Sequence, residues 1–242
     1  MNLFKKTSIA LLLSAVALIS ITGISCSTPK PTTTTTTTTT KVNSNTLPNS
    51  NPNNYIPIVK MDLASTGIKN GIIDPQYGSA SKDKLDAMPL ESIPLNWSGA
   101  PSSVKTYALT IIDYDTVPIM GFPWIHWIAA DISSSITSLP ANASTAQAKD
   151  MIQGVNSYAN GYPLNLAGLK GFQVPRANAF HYGGMVPVNF PHKYTMKIYA
   201  LDSTLNLKPG FGLNDLYNAM DGHIIGEGTL YGTYNADITK LS

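Results

Sequence analysis

Lys105-Thr106-Tyr107-Ala108-Leu109-Thr110-Ile111-Ile112-Asp113 and Trp124-Ile125-His126-Trp127-Ile128-Ala129-Ala130-Asp131-Ile132 are the two stretches on which the fold turns. Both are dense in β-branched and aromatic residues, contain neither proline nor glycine, and are flanked by turn formers, which is the composition of strands. Ile93 to Trp97, Tyr194 to Asp202 and Gly228 to Tyr234 read the same way. The connections between them are irregular, the run from Gly161 to Pro191 being rich in Pro, Gly and Asn, and no helical pattern recurs between successive strands. That argues against a βαβ architecture and predicts an all-β-dominated domain, an antiparallel two-sheet β-sandwich. One short helix is expected before the last strand, from Asn214 to about His223. Asn214 would be its N-cap, and Leu213, Leu216, Tyr217, Met220 and Ile224 its apolar stripe.

The strands occupy only the later part of the chain. Lys5 and Lys6 precede an apolar run from Ser8 to Thr22, about the length of a signal-peptide core and short for a membrane span. Residues 1–25 therefore read as an export signal. The single cysteine, Cys26, follows in Gly23-Ile24-Ser25-Cys26, which resembles a bacterial lipobox, so Cys26 is the expected lipidation site and the membrane an expected partner through it. Gly23 departs from that pattern, since lipoboxes usually carry Leu at this position. One cysteine cannot close an intrachain disulfide, so the fold must be held by its core. Residues 26–54, with an unbroken threonine run from Thr32 to Thr40 and then Asn, Ser and Pro, have little to bury and read as a tether. Residues 55–242 are the expected folded domain.

The whole-chain charge of +2 hides the domain's own balance. Lys5, Lys6, Lys30 and Lys41 precede Tyr55, leaving twelve basic against fourteen acidic residues after it, a formal −2 with Arg176 as the one arginine. Such a domain has no electrostatic case for binding nucleic acid.

Titratable residues cluster near strand ends. Alternation along a strand predicts that Trp124, His126 and Ile128 share one face, and Ile125, Trp127 and Ala129 the other. His192 and Tyr194 point together at the start of a second strand, Asp113 and Asp115 just past the end of a third. Singly, each has a plainer reading: a hydrogen-bonded core histidine for His126, turn-forming carboxylates for the Asp113-Tyr114-Asp115 run. Together, two acids and two histidines could converge at one rim of a sandwich.

The motifs carry a more specific message in their order. Ile93-Pro94-Leu95-Asn96-Trp97-Ser98-Gly99-Ala100-Pro101, Tyr107 to Asp115 with Pro118, Trp124-Ile125-His126-Trp127, Gly183-Gly184 followed by Pro187, Pro191-His192-Lys193-Tyr194 and Tyr199-Ala200-Leu201-Asp202 span nearly the whole domain. In that order they resemble the bacterial branch of the phosphatidylethanolamine-binding protein (PEBP) family, related to the Raf kinase inhibitor protein. The resemblance implies a two-sheet sandwich with a small anion pocket at one end. It matches Asp113, Asp115 and Pro118 to the family's Asp-Pro-Asp-x-Pro motif and Trp124 and His126 to its Trp-x-His element. Pro191, His192 and Lys193 match its Pro-His-Arg element, and Tyr194 an aromatic pocket position. Gly184 and Pro187 complete the implied ligand-binding set. The sequence departs from the family pattern in several places. Tyr114 replaces a proline, Val117 is an extra residue before Pro118, Lys193 replaces an arginine and its bidentate pairing, Met185 and Val186 stand where the bacterial branch usually has a proline and a cysteine, and Val188 stands where it has another proline.

Two carboxylates alone would repel an anion, so the histidines must supply the attraction. An acid beside an imidazole raises the imidazole pKa, and each charge-assisted bond from a protonated ring is worth about 1.5–3 kcal/mol. The implied partners are a small anionic or zwitterionic, phosphate-bearing ligand and, as in the family, a protein target such as a kinase or protease; no cofactor is implied. The alternative is a hydrolase using the Asp/His cluster as general acid and base, which the absence of an evident nucleophile argues against. A metal held by the same four residues is disfavoured because no short-spaced histidine pair is present.

Overall fold

The computed structural model describes residues 57–160, 173–187 and 189–235. The expected signal peptide, Cys26 and the tether lie outside the described residues. Thirteen strands are described: β1 (Val59–Lys60), β2 (Asp62–Ala64), β3 (Ile68–Lys69), β4 (Ile72–Ile73), β5 (Lys84–Leu85), β6 (Met88–Pro89), β7 (Leu95–Ser98), β8 (Thr106–Asp113), β9 (Trp124–Ser133), β10 (Ser138–Leu139), β11 (Ile152–Gln153), β12 (His192–Leu201) and β13 (Ile224–Tyr234). The helical segments are α1 (Val117–Met120), α2 (Ala143–Ala146) and α3 (Leu213–Met220), with a few 3₁₀ turns.

The four long strands form the middle of a large sheet in the order β11-β9-β8-β12-β13-β4-β3. Its central pairings are antiparallel, but β13 runs parallel both to β1, with Val59 opposite Gly226, and to β4, with Ile72 opposite Thr233. The sheet is therefore mixed, not purely antiparallel as the sequence suggested. The reason is that β13 is long enough to take short segments from the start of the domain at each end of its free side. A second, three-stranded antiparallel sheet has the order β10-β7-β2. Its Leu63, Leu95, Trp97 and Leu139 join one buried cluster with Leu109, Ile111, Trp127, Met196 and Ile198 of the large sheet.

The opposite face of the large sheet is covered as well. Ala108, Ile128, Ala130, Tyr199 and Leu201 pack with Phe211 and with Leu216 and Met220 of α3. Burial on both faces explains why β8 reads as an almost continuous apolar run and not as an alternation. The helix begins at Leu213, with Gly212 and not Asn214 at the N-cap position: the Asp215 carboxylate accepts a 2.8 Å hydrogen bond from the Gly212 N–H, so Asn214 lies inside the first turn. It ends at Met220, and His223, beyond it, pairs through Nδ1 with Asp202 at 2.8 Å, an acidic partner that no motif had signalled.

One irregularity in β9 decides the geometry of the rim. Ile111 stands opposite Trp127 but Ile112 stands opposite Ile125, so His126 is an inserted residue with no cross-strand partner, a β-bulge. The period of two predicted from the sequence breaks there. Ile125 joins Ile128 on the α3 side, whereas Trp127 and Ala129 face the cluster shared with the small sheet. His126 and Trp124 both reach the sheet-end cavity described below.

This packing makes a prediction about the central strand. Ile111 is fully buried between the sheets, so Ile111→Ala should cost about 2–5 kcal/mol. Ile72→Ala, at a position 41% exposed, should cost within about 0.5 kcal/mol. Urea denaturation midpoints would check this; equal midpoints would place the core elsewhere.

Candidate functional site

At the end of the large sheet where β8 stops and β9 and β12 start, a small cavity of about 40 Å³ opens. By the same measure one water needs about 10–15 Å³, so the space suits a small ion or headgroup and not an acyl chain. Asp113, Trp124, His126, Pro187, His192 and Tyr194 line it, six of the nine expected site residues. Adjacent strands bring them together: Asp113 of β8 is opposite both Trp124 of β9 and Tyr194 of β12.

The other three take different places. The Asp115 carboxylate accepts the Lys193 backbone N–H at 2.8 Å, tying the loop after β8 to the start of β12. Pro118 sits in the exposed one-turn helix α1, and Thr116 just before that helix, with Ile119 and Met120 of it, reaches the cavity in its stead. Gly184 packs away from the lining, since a Cβ there would lie 2.6 Å from Pro89, and its carbonyl accepts the Tyr158 hydroxyl at 2.6 Å. The extra residue Val117 is absorbed by α1, so the departure from the family spacing is accommodated as a helical turn.

Asp113 is almost fully buried with both carboxylate oxygens engaged. Oδ1 accepts the Asp115 N–H at 2.8 Å and Oδ2 accepts from His192 Nδ1 at 2.6 Å. Asp113 is thus a positioning residue that fixes the His192 ring. The far nitrogen of that ring, Nε2, lies 2.9 Å from the Asn189 side-chain oxygen. Asn189 occupies the place where a hydrolase would hold its nucleophile against an Asp-His pair. The Thr116 hydroxyl, which also lines the cavity, is committed to the Asp113 and Phe122 carbonyls. Among the described residues, no group of three or more His, Cys, Asp or Glu side chains is placed to hold a metal.

His126 is held differently. Its Nδ1 lies 2.7 Å from the Gly183 carbonyl oxygen, and the Gly183 N–H donates back to the His126 carbonyl at 2.8 Å. A carbonyl can only accept, so Nδ1 carries the proton. Burial lowers the His126 pKa below its usual value, outweighing the opposite pull of the Asp113 carboxylate. The expectation of an acid-raised, protonated histidine is thus reversed at this position, because full desolvation outweighs the acid. In the neutral ring Nε2 is a lone-pair acceptor. It is buried and without a hydrogen-bond partner, as is the Tyr194 hydroxyl of β12, the strand beyond β8. The two rings meet edge to face with centroids 5.1 Å apart.

Lys193 does not supply a cation here. Its ammonium sits 4.1 Å from the centre of the Tyr231 ring, so the replacement of the family's arginine does not remove a group from the cavity. Val186 is in the wall, whereas Met185 belongs to the main core beside Tyr182. Tyr158 and Thr116 are lining residues the sequence did not single out. Tyr158 lies in a long connection without strand periodicity and is fixed there by an Asx turn, its N–H donating to the Asn156 side chain at 2.9 Å.

The family model for phosphatidylethanolamine-binding protein matches residues 64–235, the fold just described. The chain belongs to that family. It is 44% identical over 146 residues to the uncharacterized protein YxkA of Bacillus subtilis, an alignment covering 60% of this chain and 82% of that protein. A solved structure of a putative phosphatidylethanolamine-binding protein homolog from Chlamydia trachomatis superposes with a TM-score of 0.58 at 28% identity, over 74% of this chain and 99% of the other. Escherichia coli YbcL gives a TM-score of 0.56 over 73% of this chain and 99% of its own, at 21% identity, a likeness of fold alone. These matches place the chain in the bacterial branch of the family.

The doubly bonded pair of His126 and Gly183 leaves no room for a side chain at the glycine: a Cβ would stand 2.6 Å from the Tyr158 ring. Gly183→Ala should therefore push Tyr158 and the His126 ring apart and cost about 1–3 kcal/mol. The denaturation midpoint and the His126 ring resonances by NMR would read this out. An unchanged midpoint with unmoved resonances would mean that the contact relaxes without consequence.

Proposed function

We propose that this family member is a binding protein, not an enzyme, and that it takes a small phosphate-bearing headgroup into the cavity between β8, β9 and β12. One observation carries the reading: His126 Nε2 and the Tyr194 hydroxyl are buried polar atoms without partners, in residues that line a headgroup-sized space. Leaving such atoms unsatisfied costs about 1–3 kcal/mol each, which a ligand that bonds them would recover. Neither atom is open to solvent in this conformation, so the headgroup enters as the rim yields. Met120, with three rotatable bonds, is the lining side chain best able to move. The family's name for phosphatidylethanolamine binding supports the same ligand class.

The Tyr194 hydroxyl is the donor, since burial pushes its pKa well above the usual value and it stays protonated. Tyr194→Phe keeps the ring and removes this bond. Affinity for phosphorylethanolamine, measured calorimetrically on the full chain, should fall roughly ten- to a hundredfold, while Tyr231→Phe, at an exposed position on β13, should leave it unchanged. Equal affinity in both variants would move the ligand site elsewhere.

The proposal extends to location. Export by residues 1–25 and lipidation at Cys26 would hold the domain at a bacterial envelope membrane through the 26–54 tether. Cys26→Ser should release the chain from the membrane fraction or leave it unprocessed, and unchanged fractionation and mass would count against the anchor.

A further inference from the structure

We infer that the mouth of the cavity is a membrane-contact surface: Val117 and Ile119 of α1 and Phe190 before β12 enter the interface of a lipid bilayer. A phospholipid there presents its headgroup to the cavity while its acyl chains stay in the membrane. The inference rests on the cavity being a headgroup site and names the source of the headgroup.

The cavity, at about 40 Å³, has room for part of a headgroup and none for an acyl chain. A diacyl phospholipid held there leaves both chains outside, and in water they would lie exposed on the protein surface. They avoid that cost only if the mouth stays against the bilayer, so the residues around the mouth have to suit an apolar phase.

Those residues do. Nine large apolar or aromatic side chains are exposed among the described residues, and four of them, Tyr114, Val117, Ile119 and Phe190, stand in the two short loops that flank the mouth. Ile119 reaches from the lining to the surface at 46% exposed, and Val117 sits on the same helical turn at 40%. In the other loop Phe190 is 48% exposed, and its ring lies against that of the lining residue His192 with centroids 4.8 Å apart. Apolar side chains gathered at a ligand mouth, and not scattered singly, mark a contact surface.

The polar groups at this end suit the headgroup layer. Lys193 follows His192, is exposed, and holds its ammonium 4.1 Å from the ring centre of the exposed Tyr231. Lysine and tyrosine both favour that layer, where a cation meets phosphate and an amphipathic ring meets water and hydrocarbon together. Asp115, the one acid of the two loops, is held on the Lys193 N–H at 2.8 Å. A protein partner on the same patch would cover the mouth and leave the acyl chains without an apolar phase, so a bilayer fits the patch and a protein does not.

Quenching by brominated lipid tests this. The full chain carrying Phe190→Trp is mixed with vesicles of phosphatidylethanolamine and brominated phosphatidylcholine. The emission added by the new tryptophan should shift to shorter wavelength and be quenched. Quenching should be stronger with bromine near the top of the acyl chain than near its end, since interfacial side chains sit about 5–10 Å into the headgroup and acyl boundary. Ile58→Trp should be unaffected, because exposed Ile58 precedes β1, which pairs with Gly226 at the end of β13 remote from Tyr234 and His192. Adding Val117→Asp to Phe190→Trp should abolish the quenching, a carboxylate being costly in the apolar layer. No quenching at residue 190, equal quenching at 58 and 190, or quenching that survives Val117→Asp overturns the membrane contact. Calorimetric titration with glycerophosphoethanolamine, a water-soluble headgroup, reads the cavity separately. If it binds while quenching is absent, the headgroup site stands and its membrane contact falls; if it does not bind, the headgroup reading falls and the inference with it.

Discussion

The rim of this molecule is organised by one inserted residue. His126 has no cross-strand partner in β9, and the bulge it makes frees its backbone and ring to face a different segment: the Gly183 carbonyl takes the Nδ1 proton and the Gly183 N–H returns to the His126 carbonyl. Were His126 paired in the ladder instead, Ile125 would stand opposite Asp113 and the alternation of two would carry Trp124 to the other face of the sheet. The bulge thus sets which side chains share the cavity, and the carbonyl it meets sets which nitrogen of the histidine keeps its proton. Electrostatics at this end of the sheet follow from that backbone geometry and not from a count of charges.

The count of charges would mislead. Two acids in the lining motif suggest a site hostile to anions, yet neither presents a free carboxylate oxygen to the cavity by design of its loop. Asp115 is turned onto the Lys193 N–H, and Asp113 divides its oxygens between the Asp115 N–H and His192. Each acid holds backbone or a ring in place, as carboxylates at strand ends commonly do. The lysine in place of the family's arginine fits the same picture, because its ammonium lies over Tyr231. What remains unmet among the lining residues is one acceptor and one donor, His126 Nε2 and the Tyr194 hydroxyl.

Much of this was legible in the sequence. The four long strands and the late helix could be placed because runs such as Thr106–Asp113 combine β-branched density with clear boundaries, and the ordered motifs placed six lining residues through the family resemblance. The short strands β1 to β6 were not legible, because two- and three-residue pairings leave no periodic trace and depend on the long β13 being available. The side-chain faces around His126 were misread because a bulge is a register event between two strands, invisible in either alone. Tyr158 and Thr116 escaped for a related reason. Each reaches the cavity from an irregular segment held by local hydrogen bonds, where residue type says nothing of direction.

The burial of a neutral His126 ties the stability of the domain to its chemistry. Its folded pKa is depressed, so above the unfolded value of about 6.5 the ring is neutral in both states and costs nothing in protonation. As pH falls below that value the unfolded chain gains a proton that the folded ring refuses until its own lower pKa is reached, and stability declines through that window. A better solvated histidine would avoid this acid sensitivity, but water would then meet its Nε2 and no unmet hydrogen bond would remain there. The same desolvation that makes the domain less stable in acid is what leaves His126 Nε2 as an unmet acceptor at the rim of the sheet.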